Sequence, residues 1–184
     1  MISLSRPRQE AIVAYREARL SAAPTCTPGP ATPSGFRHER FSREIGLGDE
    51  DFLKARDGLI AWAAHRGSGV EVFPATAEVA AGETVAILTR QLGLWVLAAC
   101  RVMSVVDQPT EFGFTYATLP DHPECGYESF TVNLDAGTVR FDIEATSKPG
   151  IPLVRLGSPV THLLQKRATH AYLESLVNWV SRHD

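Results

Sequence analysis

Phe112-Gly-Phe-Thr-Tyr-Ala-Thr-Leu-Pro-Asp-His-Pro-Glu-Cys-Gly-Tyr-Glu-Ser-Phe130 is the stretch whose reading decides the fold. Its first half, Phe112 to Leu119, alternates Phe112, Phe114 and Tyr116 with smaller residues. Period-two alternation puts those three rings on one face of a β-strand. Leu119-Pro-Asp-His-Pro then ends the strand, because neither proline can donate to a sheet ladder and each holds its predecessor extended. From Tyr127 the alternation resumes, with Phe130, Val132 and Leu134 opposite Ser129, Thr131 and Asn133. The stretch therefore predicts two half-buried strands joined by a stiff turn that carries His122, Glu124 and Glu128. Polar side chains on a rigid turn are the most function-like feature of the chain, and no complete catalytic signature accompanies them.

Downstream, Asp135-Ala-Gly137 predicts a compact hairpin turn, with glycine supplying the positive φ. In Thr138–Thr146, Val139, Phe141, Ile143 and Ala145 face one way and Arg140, Asp142 and Glu144 the other, a half-buried antiparallel strand. Ser158-Pro159 reads as the N-cap and first-turn proline of a final helix. Its stripe is Val160, Leu163, Leu164, Ala168, Ala171, Tyr172, Leu176, Trp179 and Val180, and about 25 residues at 1.5 Å rise would cross a whole sheet. Upstream, Thr84–Leu92 and Leu94–Val106 flank Gly93 as a long hairpin. Its second strand is apolar on both faces, which predicts that both are covered. Val70–Pro74 is a short strand. Asp49 is expected to cap a helix running through Arg66, with Phe52, Ala55, Leu59, Trp62 and Ala63 buried. Phe36–Ile45 reads as a first strand that Gly46-Leu-Gly48 breaks.

Residues 23–35 hold four prolines and two glycines and predict a mobile loop rather than regular structure. Ser5 to Leu20 predicts a short helix with Ile12, Tyr15 and Leu20 on its apolar side. The order is strand, helix, a run of about six antiparallel strands, then a long helix. Without βαβ alternation the expected class is α+β, not a parallel sheet.

The chain has 184 residues and a formal charge of −3, which fits one domain over 1–184: an N-terminal helix in 1–22, the Pro-rich loop in 23–35 and a core in 36–184. No basic footprint for nucleic acid is present; Arg6, Arg8, Arg16 and Arg19 alternate with glutamates as a solvated helix face. Cys26, Cys100 and Cys125 are widely spaced and form no Cys-x-x-Cys pair, which reads as reduced thiols in a cytosolic protein. Charges interrupt the N-terminus too early for a signal peptide. Leu92 to Cys100, the longest uncharged apolar run, falls well short of the ~20 residues of a membrane span. The expectation is a soluble, cytoplasmic protein, with no oligomeric state specified.

The central stretch resembles an uncharacterised bacterial and plant family, a domain of unknown function, whose centre reads roughly Gly-Phe-x-Tyr-Gly-Thr-Leu-Pro-x-His-Pro-Glu-x-Gly-Glu-Glu-x-Phe. Gly113, Phe114, Tyr116, Thr118, Leu119, Pro120, His122, Pro123, Glu124, Gly126, Glu128 and Phe130 match it, while Ala117 replaces a glycine and Tyr127 a glutamate. The resemblance continues through Thr146-Ser147-Lys148-Pro149 to Gln165, covering most of the chain from Gly35 onward. Thr25-Cys26 departs from the family's Thr-Tyr. The family implies little chemistry, since its activity is not established. The element order resembles the helix-grip fold of the START and birch-pollen-allergen superfamily. Gly82 to Leu119 is similar to that superfamily's bacterial members, with Val102-Met-Ser-Val-Val-Asp-Gln-Pro109 in place of their Val-x-x-Val-Asp-x-Pro turn. That resemblance implies a curved antiparallel sheet of about six or seven strands wrapped on the C-terminal helix, START-like, with an apolar cavity between them.

His122, Glu124, Cys125 and Glu128 lie within seven residues, yet only His122 and Glu124 would point the same way and no second histidine lies nearby, so no metal is expected. No cofactor is expected either. Tyr116, His122, Glu124 and Glu128 are the candidates for acid–base work at a cavity mouth. No Gly-x-Ser-x-Gly elbow, Ser-x-x-Lys or phosphate loop is present. If the fold is helix-grip, Phe112, Phe114, Tyr116, His122, Phe141, Leu164 and Tyr172 would line the ligand site. The favoured reading is a binding module for a small apolar molecule. The alternatives are an enzyme of cyclase, dehydratase or hydrolase type using Tyr116, His122 and Glu124, and an interaction protein with a filled core.

Overall fold

The computed structural model describes residues 1–29, 31–150 and 158–182, and the side chains of the last helix from residue 166 onward. In chain order the elements are β1 (Ile2–Ser3), α1 (Gln9–Glu17), β2 (Arg37–Leu47), α2 (Gly48–Ile60), α3 (Ala63–Gly67), β3 (Glu71–Phe73), β4 (Thr84–Gln91), β5 (Leu94–Gln108), β6 (Glu111–Thr118), β7 (Glu124–Asp135), β8 (Thr138–Pro149) and α4 (Ser158–Arg182). One antiparallel sheet runs β2-β8-β7-β6-β5-β4-β3, and the two-residue β1 adds to β5.

The register follows from side-chain parity. Phe112 lies opposite Val132, Phe114 opposite Phe130 and Tyr116 opposite Glu128. Phe130 and Val132 in turn face Ile143 and Phe141 across the β7–β8 ladder. One sheet face therefore carries a continuous apolar set, as the alternation required. Two-residue turns close two of the hairpins. Leu92-Gly93 and Ala136-Gly137 all have positive φ, and glycine takes the second position of each, where a side chain would strain the backbone.

Helices α2, α3 and α4 share the inner face. Phe52, Leu59, Trp62, Phe114, Phe130, Phe141, Tyr172 and Leu176 belong to one buried cluster with the strand residues. The last helix thus packs on α2 and α3 as well as on the sheet. Glycines allow that approach: a Cβ at Gly58 would come 2.7 Å from Leu176 Cδ1, and one at Gly67 2.8 Å from Ser175 Cβ. On the outer face, α1 covers Ala86, Leu88 and Leu97 with its buried Ile12. That accounts for β5 being apolar on both sides.

Several expectations need correction. The helix expected from Asp49 to Arg66 is broken, because Trp62 adopts the left-handed conformation at φ 58°. Its indole is buried, donates to the Ala77 carbonyl at 3.1 Å and packs 4.9 Å from the Phe114 ring. Burying about 200 Å² of indole at about 25 cal/mol per Å² outweighs the roughly 1–2 kcal/mol of a left-handed residue. Asp49 is not the cap: α2 starts at Gly48, and Asp51 reaches back to accept the Leu47 amide at 2.8 Å. That back-bond needs Gly46, whose Cβ would lie 2.5 Å from Asp51 Cβ. The central turn is also shorter than expected. β7 already begins at Glu124, paired with Pro149, so Glu124 and Glu128 are strand residues and only His122 sits on the turn.

The Pro-rich segment has no helix or strand among its described residues, but it is tied down at Thr25, whose amide donates to the Thr118 carbonyl at 2.8 Å. The Ser158-Pro159 cap and the stripe residues Val160, Leu163 and Leu164 fall outside the described side chains. No helix among the described residues is long and apolar enough to cross a membrane.

Candidate binding cavity

Between the sheet and α4 lies a cavity of about 160 Å³, walled by residues from β4, β5, β6, β7, β8 and α4 and by the turn before β7. Its apolar wall comes from Ile87, Val96, Ala98, Ala145 and Ala168, its polar wall mainly from Tyr116, His122, Glu124, Glu128 and Tyr172. Among the described lining residues there is no lysine and no arginine.

Strand pairing builds the polar wall. Because Tyr116 and Glu128 are directly opposed, their side chains meet on one face, and the tyrosine hydroxyl donates to Glu128 Oε2 at 2.7 Å. Behind them the buried His65 of α3 places Nε2 3.4 Å from the same hydroxyl. A hydroxyl that donates to a carboxylate has its lone pairs left to accept, so His65 carries its proton on Nε2. Its Nδ1 has no partner among the described residues. The partners of Tyr116 thus come from β7 and α3.

His122 is positioned by its own turn. His122 Nδ1 lies 2.9 Å from the Glu124 carbonyl oxygen and 3.0 Å from the Glu124 amide, so one backbone residue fixes the ring whether Nδ1 donates or accepts. Where β6 and β7 part, Thr118 Oγ1 donates to the Gly126 carbonyl at 3.1 Å and accepts its amide at 3.0 Å. Only glycine fits there, since a Cβ would fall 2.0 Å from the Thr146 carbonyl oxygen.

Burial dominates the electrostatics. Desolvation raises Glu128 to about 7, with the Tyr116 hydrogen bond pulling the other way and the Glu124 charge adding to the rise. Glu124 is likewise raised to about 7 by burial, opposed by Arg37 and reinforced by Glu39. His122 is lowered to about 4 by burial, which its backbone bond to Glu124 partly offsets. His65 is lowered to about 3, again by burial first and by Arg66 second. Both phenols, Tyr116 and Tyr172, are pushed up by burial and by the Glu128 charge. Protein surrounds Glu124, Glu128 and His122, yet all three border the cavity and keep part of their surface accessible. An apolar occupant would remove that remaining water and drive both carboxyls further toward the neutral acid.

The structure brings Tyr116, His122, Glu124, Glu128 and Tyr172 together around the cavity. Phe112, Phe114 and Phe141 do not line it; all three belong to the packed core. Phe112 lies beneath the Arg56 guanidinium, and Phe114 stacks on Phe130 at 5.2 Å. Leu164 lies outside the described side chains. Sequence reasoning missed His65, which sits beside Arg66 near a helix end and gives no periodic sign of burial. Glu128 could have been assigned to the inner face, since it shares the parity of Phe130. Among the described residues no group of three or more His, Cys, Asp or Glu could hold a metal.

An antiparallel sheet gripping a long C-terminal helix, with helices on the same face and a cavity beneath, defines a helix-grip protein. Solved structures share that fold. A hypothetical protein from Helicobacter pylori aligns at a TM-score of 0.59 and 16% identity, covering 82% of this chain and 90% of its own. The aromatase/cyclase ZhuI from Streptomyces sp. R1128 aligns at 0.56 and 14% identity, covering 80% and 94%. Ara h 8.0201 aligns at 0.51 and 11% identity, covering 80% and 99%. These identities show the fold alone.

The chain belongs to the family described as Domain of unknown function (DUF1990), which matches residues 15–175. Relatives described as UPF0548 proteins include one from Dictyostelium discoideum, 33% identical over 147 residues, with 73% of this chain and 68% of the relative covered. Another, from Deinococcus radiodurans, is 31% identical over 161 residues and covers 79% of both chains.

Proposed function

We propose that this protein binds a small molecule with a largely apolar body in the cavity between the sheet and α4. The observation that carries the reading is that Tyr116, His122, Glu124, Glu128 and Tyr172 border the same hollow as the apolar Ile87, Val96, Ala98, Ala145 and Ala168. A concave, mostly apolar site with a few converging polar groups is the general form of a ligand pocket. At about 160 Å³ it compares with an engineered apolar cavity of roughly 150 Å³ that accepts benzene. The ligand is therefore a compact, single-ring-sized molecule rather than a polycyclic one. A filled-core interaction protein would have no use for such a hollow.

One observation favours a second reading, catalysis in the same cavity. Glu124 and Glu128 both titrate near 7, where a carboxyl can exchange a proton during a reaction. In that reading Tyr116 and His122, each with a defined partner, would orient the substrate.

Native mass spectrometry of freshly purified protein tests the first reading, with a retained small-molecule adduct that denaturation releases as the expected result. Tyr116→Phe, which removes only the hydroxyl that Glu128 accepts, should keep the fold and weaken retention of that adduct. A large drop in melting temperature with adduct retention unchanged would assign the hydroxyl to structure and remove Tyr116 from the site.

A further inference from the structure

The cavity's polar wall is one-sided in charge. Two carboxyls, Glu124 and Glu128, border the hollow, and none of its described lining residues is a lysine or arginine. Arg37, the cation that acts on Glu124, lies outside the lining. Glu128 has only the Tyr116 hydroxyl as a hydrogen-bond partner among the described residues, through Oε2. Its other oxygen has no donor there, although an ionised carboxyl accepts about four hydrogen bonds. The tyrosine hydroxyl cannot serve a ligand as donor, because its proton is already committed to Glu128. A ligand group completing this wall must therefore donate hydrogen bonds to carboxylate oxygens and offset negative charge. A carboxylate or phosphate placed there would meet the like charge of Glu128, with no lysine or arginine among the described lining residues.

We propose that the cavity selects a small molecule bearing a protonated amine on an apolar body, with Glu128 as the principal counter-charge and Glu124 as the second. The inference rests on the cavity being a binding site. The apolar body would lie against Ile87, Val96, Ala98 and Ala145, and the ammonium at the Glu128 end. Its N–H bonds can point to the oxygens of Glu128 and to ordered water, while Glu124, four residues away on β7, acts through its charge.

The choice of charge has a pH consequence. The groups near Glu128 are Tyr116 on β6, Tyr172 on α4, Cys100 on β5, Glu124 on β7 and, through Tyr116, His65 on α3; Arg37 and Glu39 of β2 act on Glu124. The phenols and the buried thiol are shifted upward and His65 downward, so all stay neutral near pH 7. Of these groups only the two glutamates change charge there. An ammonium favours the ionised carboxyl, so amine affinity should be full above the glutamate pKa values and fall as pH drops through them.

Three probes of one size separate the possibilities: benzylamine, benzyl alcohol and phenylacetate, titrated into the full chain at pH 8 and followed by protein NMR. Benzylamine should bind at least tenfold more tightly than benzyl alcohol, and phenylacetate more weakly than either. The advantage should shrink about tenfold between pH 7.5 and 5.5. Glu128→Gln should erase the preference for the amine while leaving benzyl alcohol affinity within about twofold. Glu124→Gln provides an independent variant should the first fail to fold, and should reduce the preference in part. Equal binding of amine and alcohol, or preference for phenylacetate, overturns the charge inference and leaves the cavity reading standing. Failure of all three to bind overturns both.

Discussion

At the scale of single residues, a carboxyl shows how the site and the fold compete. Glu128 titrates at about 7 in the folded chain against an ordinary 4.5. Between those values the folded state holds more protons than the unfolded one, so its contribution to stability is present at low pH and is lost as pH rises toward 7. His65 works in the opposite direction. Lowered to about 3 from 6.5, it is neutral when folded and charged when unfolded across that interval, so its contribution is lost as pH falls. Between about pH 4.5 and 6.5 the two residues offset one another, with Glu124 and His122 forming a second opposing pair. Glu128→Gln removes one arm of the balance. Stability of the variant relative to wild type should therefore climb with pH from 4.5 to 7 and level off above. A shift of this size corresponds to at most about 3 kcal/mol, less because cavity water reaches the carboxyl. Urea unfolding of both proteins at several pH values checks this, and a difference independent of pH would contradict the burial assigned to Glu128.

At the scale of elements, the hairpin from β6 to β7 holds the site, and much of it was legible in the sequence. Alternation of Phe112, Phe114 and Tyr116 placed β6, and the two prolines placed the turn. The point at which β7 starts was not legible, because nothing local in Glu124-Cys-Gly-Tyr shows that β8 extends to Pro149 and pairs with it. The break at Trp62 was hidden for a similar reason, since the apolar spacing of α2 continues across it and only the distant Ala77 carbonyl explains it. His65 was illegible because its burial depends on rings from β6, β7 and α4, namely Tyr116, Phe130 and Tyr172. Gly126 tests the hairpin as an element. Gly126→Ala drives a Cβ into the Thr146 carbonyl and must part β7 from β8 beside Glu124 and Glu128. Overpacking of this kind costs roughly 1–3 kcal/mol. Hydrogen exchange should accelerate at the start of β7 and the end of β8 while α2 is spared. Protection unchanged at Tyr127 and Thr146 would show that the close approach does not hold the strands.

At the scale of the whole molecule, two layers of helices enclose one sheet unequally. On the outer face α1 covers the sheet with Ile12, and Tyr15 packs beside it. The inner face is packed solid where α2 and α3 meet α4, and hollow where Tyr172 and Ala168 face the β4–β8 end of the sheet. A hollow that is kept rather than filled forgoes packing energy, at about 24 cal/mol per Å³ in well-packed cores, which is the cost a binding site accepts. Filling it should therefore stabilise the chain while removing its function. Ala98 is the residue to enlarge, since it is held in β5 opposite Ile87 of β4, borders the cavity and contributes nothing polar. The decisive measurement is a titration of wild type and Ala98→Phe with benzylamine, followed residue by residue in ¹H–¹⁵N spectra. In wild type, saturable shifts should cluster at Tyr116, His122, Glu124, Glu128 and Tyr172. In Ala98→Phe those shifts should vanish while the melting temperature holds or rises. Equal shifts in the filled variant, or shifts scattered over the surface in both, would contradict the assignment of the cavity as the binding site.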